Sequence, residues 1–196
     1  MSWRLALAAA LAGLAGCHAM PTRPVAGPDA GERSAITALA TWQATGRVAV
    51  RAGSDGFSAN FDWQEAAGRG ELGVRGPFGA GAVRIRRSDE RIVIESGGAA
   101  PIEVAAPFEA LEPELVARLG FALPLEPLRY WMLGVPAPGR PADGGGGEFR
   151  QDGWQITVGD YVPVAGAPGP LPARVTLRRD ATRIRVVVDR WRVGGP

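Results

Sequence analysis

Hydrophobic and polar residues alternate along most of the middle of this chain. The clearest run spans residues 57–64, where every second residue is apolar. A period of two places the apolar side chains on one face of a β-strand. Shorter runs of the same kind predict strands around Val48 and Val50, Leu72 and Val74, Val83 and Ile85, Ile92 and Ile94, and Ile102 and Val104. Gly, Asp or Ser separates the runs, so the sequence predicts an antiparallel meander with one apolar face.

Between residues 108 and 134 the apolar period lengthens to that of a helix. Leucines recur every four residues, preceded by an aromatic residue one turn earlier, and a glycine ends the pattern: Phe108, Leu111, Leu115, Leu119 and Gly120. A second short helix is predicted from Pro124 to Gly134. Strands resume at Trp154–Val158, Val175–Leu177 and Ile184–Trp191. This order predicts a mainly β (α+β) fold, in which two short helices cover a curved antiparallel sheet around either an open pocket or a solid core.

Two further segments are readable from their local chemistry. Asp29, three residues before Glu32, predicts a capping box that opens a short helix ending near Trp42. Residues 136–147 include four consecutive glycines and predict a mobile surface loop.

The first 31 residues have the pattern of an export signal followed by a tether. Arg4 precedes the apolar run Leu5–Leu14, which is too short for a permanent membrane-spanning helix. The run ends in Leu14-Ala15-Gly16-Cys17, which resembles the lipobox of bacterial lipoproteins. That resemblance implies cleavage before Cys17, which then carries an S-diacylglycerol and an N-acyl chain. We therefore expect a signal peptide at 1–16, an acylated N-terminus and flexible tether at 17–31, and one domain at 32–196; the alternative is an ordinary signal peptide before a free cysteine.

Composition excludes most kinds of catalytic site. All 22 basic residues are Arg, and the only His, His18, follows the only Cys. The domain therefore has no internal His or Cys for a Ser-His-Asp or Cys-His pair or for a zinc site. The chain also has no Lys for a Schiff base or a P-loop. A net charge of +2 also argues against nucleic acid as a partner. We expect no enzyme, no metal and no cofactor besides the covalent lipid; an enzyme acting through two carboxylates is the least favoured alternative.

Several short segments resemble, in order along the chain, those of one known family. They are Trp42–Arg47, Phe61–Gln64, Gly76–Gly79, Leu119–Leu125, Leu128–Pro136, Gly153-Trp154, Leu171-Pro172 and Arg183–Trp191. Together with the lipobox they resemble the LolB family of outer-membrane lipoprotein receptors. Val158, where that family usually has an aromatic residue, and the loop near Pro138 depart from the pattern.

The resemblance implies an unclosed antiparallel β-barrel with a helical lid and a hydrophobic cavity. It also implies a monomer anchored in the outer membrane with its domain in the periplasm. Such a receptor accepts client lipoproteins from the periplasmic carrier LolA and inserts them into the outer membrane. His18 stands where inner-membrane lipoproteins carry an Asp retention signal, which agrees with this location.

The candidate site combines the apolar faces of the predicted strands and helices. Its cavity residues are expected to be Phe61, Trp63, Leu72, Val83, Ile85, Leu115, Leu119, Leu128 and Met132. Phe78 lies in a predicted turn, where the resemblance implies a protruding apolar residue that inserts the client into the bilayer. The pattern alone leaves both alternatives open and slightly favours a Phe that folds back onto a neighbouring strand. Two alternative functions are a lipocalin-like lipoprotein that holds a small apolar ligand and a structural lipoprotein that binds no lipid.

Overall fold

The computed structural model describes residues 25–76, 81–106, 113, 115–116 and 123–194. Within these residues, two helices and one antiparallel sheet of eleven strands are defined. The helices are α1 (Ala30–Thr37) and α2 (Leu125–Met132), and Pro113, Leu115 and Val116 are also helical. The strands are β1 (Thr41–Ala52), β2 (Asp55–Ala66), β3 (Arg69–Arg75), β4 (Val83–Arg87), β5 (Arg91–Ser96), β6 (Ile102–Ala105), β7 (Asp143–Gly145), β8 (Glu148–Gln151), β9 (Trp154–Val162), β10 (Leu171–Arg179) and β11 (Thr182–Val193).

The sheet runs in the order β6-β5-β4-β3-β2-β1-β11-β10-β9-β8-β7. Two meanders, one from each end of the chain, are therefore joined where β1 pairs with β11. The two edge strands, β6 and β7, do not pair with each other, so the barrel is unclosed. The predicted fold class, an unclosed antiparallel sheet with a helical cover, is confirmed.

The two faces of the sheet differ in chemistry because the side chains alternate. The inner face, defined by Phe61 and Trp63, is buried under the helices and carries most of the apolar core. On the outer face, arginines pair with acidic residues across neighbouring strands, as Arg86 does with Glu95 at 3.0 Å. All the buried residues of this core lie between Ile36 and Trp191, so a protein that begins at residue 18 keeps every packed element.

The N-terminal segment differs from the prediction at both of its ends. The capping box of Asp29 and Glu32 is present, with bonds of 2.8 Å in both directions. However, α1 ends at Thr37, and Trp42 already belongs to β1, where the alternating pattern has begun. Regular structure also begins before residue 31, where the tether was expected to end, because Val25 forms a β-bridge with Tyr161. The described residues from Val25 onward therefore form part of the folded domain.

The predicted loop at residues 136–147 contains a short strand. Asp143, Gly144 and Gly145 form β7, which pairs with β8, and the sequence pattern indicated neither strand. Gly144 has a φ of +101° and lies so close to Glu148 that an added Cβ would be 2.7 Å from its carbonyl oxygen. The strand is held by backbone pairing alone, which leaves no side-chain period to read.

Candidate functional site

An apolar cavity of about 100 Å³ lies between the inner face of the sheet and α2. Strands β1, β2, β3, β4 and β11 form its walls, and Leu123, Leu128 and Met132 cover it. Every lining side chain is apolar: Val48, Val50, Phe57, Phe61, Trp63, Leu72, Val74, Val83, Ile85, Leu123, Leu128, Met132, Ile184 and Val186. The cavity therefore offers a ligand no charge and no acid or base, only hydrophobic contact.

Most of the residues predicted for the cavity are brought together there. Those that line it are Phe61, Trp63, Leu72, Val83, Ile85, Leu128 and Met132. Leu115 is fully buried in the same apolar core but is not part of the cavity wall. Leu119 lies outside the described residues, as do Phe108, Leu111, Gly120, Phe78 and Cys17.

Sequence reasoning missed part of the wall because it depends on long-range pairing. In the structure, Val50 lies opposite Phe57 on one side and Ile184 on the other. The first and last strands along the chain, β1 and β11, thereby contribute to the same wall. The alternating pattern marked Val48, Val50, Ile184 and Val186 as inward-facing, but it could not show that β11 returns to pair with β1.

The cavity reaches solvent at the β1–β2 hairpin. Phe57 lines the cavity and is 46% exposed, whereas Phe61 and Trp63, deeper on the same strand, are buried. Val48, Val74 and Val83 are only partly buried on the neighbouring strands. The upper part of the wall, from Phe57 to Val83, therefore forms an apolar rim around the entrance.

Helix α2 is tied to the sheet on the side away from the cavity. The buried Gln151 of β8 accepts hydrogen bonds from Trp131 Nε1 and from the backbone N–H of Ala137, both at 2.8 Å, through its Oε1. Its Nε2 donates to the carbonyl of Ala137 at 2.9 Å. Trp131 also packs against Trp154, with ring centroids 6.4 Å apart. On the cavity side, Leu128 and Met132 present only apolar contacts.

A buried ion pair supports Trp63 at the inner end of the cavity. Glu65 is 1% exposed and accepts hydrogen bonds from Trp63 Nε1 at 3.0 Å and from Arg87 at 2.7 Å. Because both carboxylate oxygens are engaged, the buried charge is paired. The Trp63 ring also contacts Trp42, with centroids 5.3 Å apart, so its position in the wall is fixed from two directions.

Tyr161 has a shifted pKa but does not line the cavity. Tyr161 lies beside Gly27 and Gly134, and its burial raises the pKa of its hydroxyl above the usual value, an effect that Arg33 partly offsets. Within the described ranges, no group of three His, Cys, Asp or Glu side chains could hold a metal ion. No helix in these ranges is long and apolar enough to cross a membrane.

Comparison with known proteins shows to which family this chain belongs. The model of the family described as "Outer membrane lipoprotein LolB" matches residues 40–191, which include every residue that lines the cavity. The chain belongs to the LolB family. The protein is therefore an outer-membrane lipoprotein, held by lipid, whose function is lipoprotein localisation rather than enzymatic catalysis.

Individual LolB relatives match over nearly their whole length. The outer-membrane lipoprotein LolB of Nitrosococcus oceani is 33% identical, with 92% of each chain covered. That of a Marinomonas species is 27% identical over 98% of this chain and 100% of the relative. A solved LolA superfamily protein from Nitrosomonas europaea has a TM-score of 0.51 and 7% identity, covering 85% of this chain and 93% of that one. This last likeness concerns the fold alone.

Proposed function

We propose that this LolB-family protein accepts lipoproteins from the periplasmic carrier LolA and delivers them to the outer membrane. In this proposal, the acyl chains of the client occupy the cavity between α2 and the sheet. The observation that carries it is the wholly apolar lining of that cavity. Family membership and the LolA-superfamily fold support it.

An acyl chain needs such a site in order to cross the periplasm. Exposing a lipid chain to water costs about 0.8 kcal/mol per methylene, so a chain of about fifteen methylenes costs roughly 12 kcal/mol. Contact with aliphatic and aromatic side chains removes this cost without any polar recognition. Transfer between two such cavities requires only a difference in binding free energy, and no ATP.

The cavity as it stands is smaller than this cargo. Its volume of about 100 Å³ lies below the about 300–1,000 Å³ that ligand pockets commonly measure. We infer that α2 moves away from β1–β4 to make room for the acyl chains. Leu128 and Met132 oppose this movement with apolar contacts alone, which the incoming chains would replace.

Two residues outside the described part of the chain complete the proposal. Cys17 is the lipidated N-terminus, because it ends the only lipobox-like segment and is the only thiol. Phe78 lies in the β3–β4 connection and is the residue that enters the bilayer during delivery. Burying a Phe side chain in lipid is worth about 1.5–3 kcal/mol, which suffices to orient a protein that is already anchored.

Binding of a fluorescent fatty acid tests the cavity. The protein from residue 18 onward should bind the probe, and Val83→Glu should weaken this binding by more than about tenfold, since a carboxylate beside an acyl chain costs well over 1.4 kcal/mol. Val83 is partly exposed, so a glutamate there can reach water without unfolding the domain.

Val93→Glu is the matched control, because Val93 lies on the neighbouring strand and lines the outer face. Its probe affinity should equal that of the unmodified protein. If the folded protein binds no probe, or if both variants weaken binding equally, the cavity is not the lipid site. Displacement of the probe by a lipoprotein separates the proposed receptor from a lipocalin-like carrier of small apolar ligands, whose probe a lipoprotein would not displace.

A further inference from the structure

Three exposed arginines lie in one line across three adjacent strands of the outer face. Arg183 of β11 is directly opposite Arg51 of β1 and directly opposite Arg178 of β10. Side chains at directly opposite positions have Cβ atoms about 4.5–5.5 Å apart. Arg185 is exposed two residues further along β11 and therefore points from the same face. We refer to Arg51, Arg178, Arg183 and Arg185 as the arginine row.

The arginine row lacks the acidic partners that several other outer-face arginines have. On the same strands, Arg47 pairs with Asp189 at 3.1 Å and Arg174 pairs with Asp160 at 2.6 Å. Across the described residues, no member of the row forms an ion pair, although Asp55 and Asp180 lie near the same end of the sheet. Like charges directly opposite one another destabilise a sheet, so an anionic partner would relieve this arrangement.

We propose that the arginine row is a docking surface for anionic phospholipid headgroups. Guanidinium groups bind phosphate through paired hydrogen bonds, and the row extends about 10 Å across three strands. It lies on an open face and therefore matches an array of headgroups better than a single enclosed anion.

The neighbouring residues favour a membrane as the partner. Arg51 lies on the same hairpin as Phe57, whose apolar ring is 46% exposed on the other face of the sheet. Basic residues and exposed aromatic rings both favour a membrane interface, and here they lie at the same end of the sheet. Because the protein is a lipid-anchored lipoprotein, a phospholipid surface is always within its reach. The proposal concerns the outer face and does not depend on what the cavity holds.

Vesicle flotation tests the arginine row. The protein from residue 18 onward should bind vesicles of phosphatidylcholine mixed with phosphatidylglycerol, should bind pure phosphatidylcholine far more weakly, and should be released by salt. The triple variant R51Q/R178Q/R183Q should lower the partition coefficient on anionic vesicles by on the order of 100-fold. R51K/R178K/R183K keeps the charge and should retain most of the binding.

The matched control is R69Q/R190Q/R192Q, which removes the same charge from exposed arginines of β3 and β11 at the opposite end of the sheet from the row. Its binding should stay close to that of the unmodified protein. Circular dichroism and fatty-acid binding verify that each variant is folded. If the triple glutamine variant is not folded, the single variant Arg183→Gln replaces it and should weaken vesicle binding about fivefold. Equal losses in both triple variants, or no preference for anionic vesicles, would overturn the proposal.

Discussion

Replacing Gln151 by Ala should loosen the attachment of α2 to the sheet and destabilise the whole domain. The Gln151 side chain is 2% exposed and engages three buried groups: Trp131 Nε1–H, the Ala137 N–H and the Ala137 carbonyl. Alanine removes the one side-chain amide that bonds all three groups. The two donors and the acceptor then lie in an otherwise apolar environment.

The size of the effect follows from those three groups. A buried polar group left without a partner costs about 1–3 kcal/mol. The space vacated by the glutamine side chain admits water, which restores part of the bonding, so we take the lower part of this range for each group. The free energy of unfolding should fall by about 3–5 kcal/mol, a large share of the roughly 5–15 kcal/mol that stabilises a typical domain.

Urea unfolding followed by circular dichroism measures this loss, with Gln155→Ala as the matched control. Gln155 lies on the adjacent strand and donates one exposed hydrogen bond, to Glu148 at 2.6 Å. Its replacement should cost less than about 0.5 kcal/mol. If Gln151→Ala and Gln155→Ala unfold within about 1 kcal/mol of each other, the hydrogen bonds of Gln151 do not hold α2 in place.

Three further predictions address the buried ion pair and the two proposed lipid contacts. Gly70→Ala should destabilise the domain by about 1–3 kcal/mol, because the added Cβ would collide with the carboxylate of Glu65. The control Gly97→Ala, whose added Cβ meets no atom within 4 Å, should leave the urea midpoint unchanged. Equal midpoints for the two variants would contradict this prediction. Mass spectrometry of the membrane-purified protein should show a chain that starts at Cys17 and is heavier by its acyl groups, and an unmodified N-terminus would disprove lipidation there. Phe78→Glu should leave folding and lipoprotein uptake intact but stop release into liposomes, and normal release or an unfolded domain would show that Phe78 has another role.

Local periodicity was enough to predict the strands that carry a side-chain pattern. Strand β2 is the clearest case, because its apolar residues alternate from Phe57 to Trp63 and its inner face is buried from Ala59 onward. Helix α2 was predicted between Pro124 and Gly134 and spans Leu125–Met132, since proline and glycine limit it at both ends. These features depend on residues close together in sequence.

The features that the sequence did not predict depend on contacts between residues far apart in the chain. The pairing of β1 with β11 closes the cavity wall, but nothing local in either strand names its partner. Glu65 and Gln151 are polar residues at inward-facing positions, and a pattern of apolar residues gives no account of them. One signal for these residues was available in the sequence, because each lies at an alternating position that its apolar neighbours mark as buried. A polar side chain at such a position needs a hydrogen-bond partner inside the core.

Transfer of a lipoprotein from LolA tests the proposed function most directly. A purified LolA–lipoprotein complex is mixed with the protein from residue 18 onward, and the two carriers are separated by an affinity tag on one of them. We expect the lipoprotein to move to this protein without ATP, and Val83→Glu to reduce that transfer while Val93→Glu does not. If the lipoprotein stays on LolA although the receptor domain is folded and binds fatty acid, this protein does not receive lipoproteins from LolA.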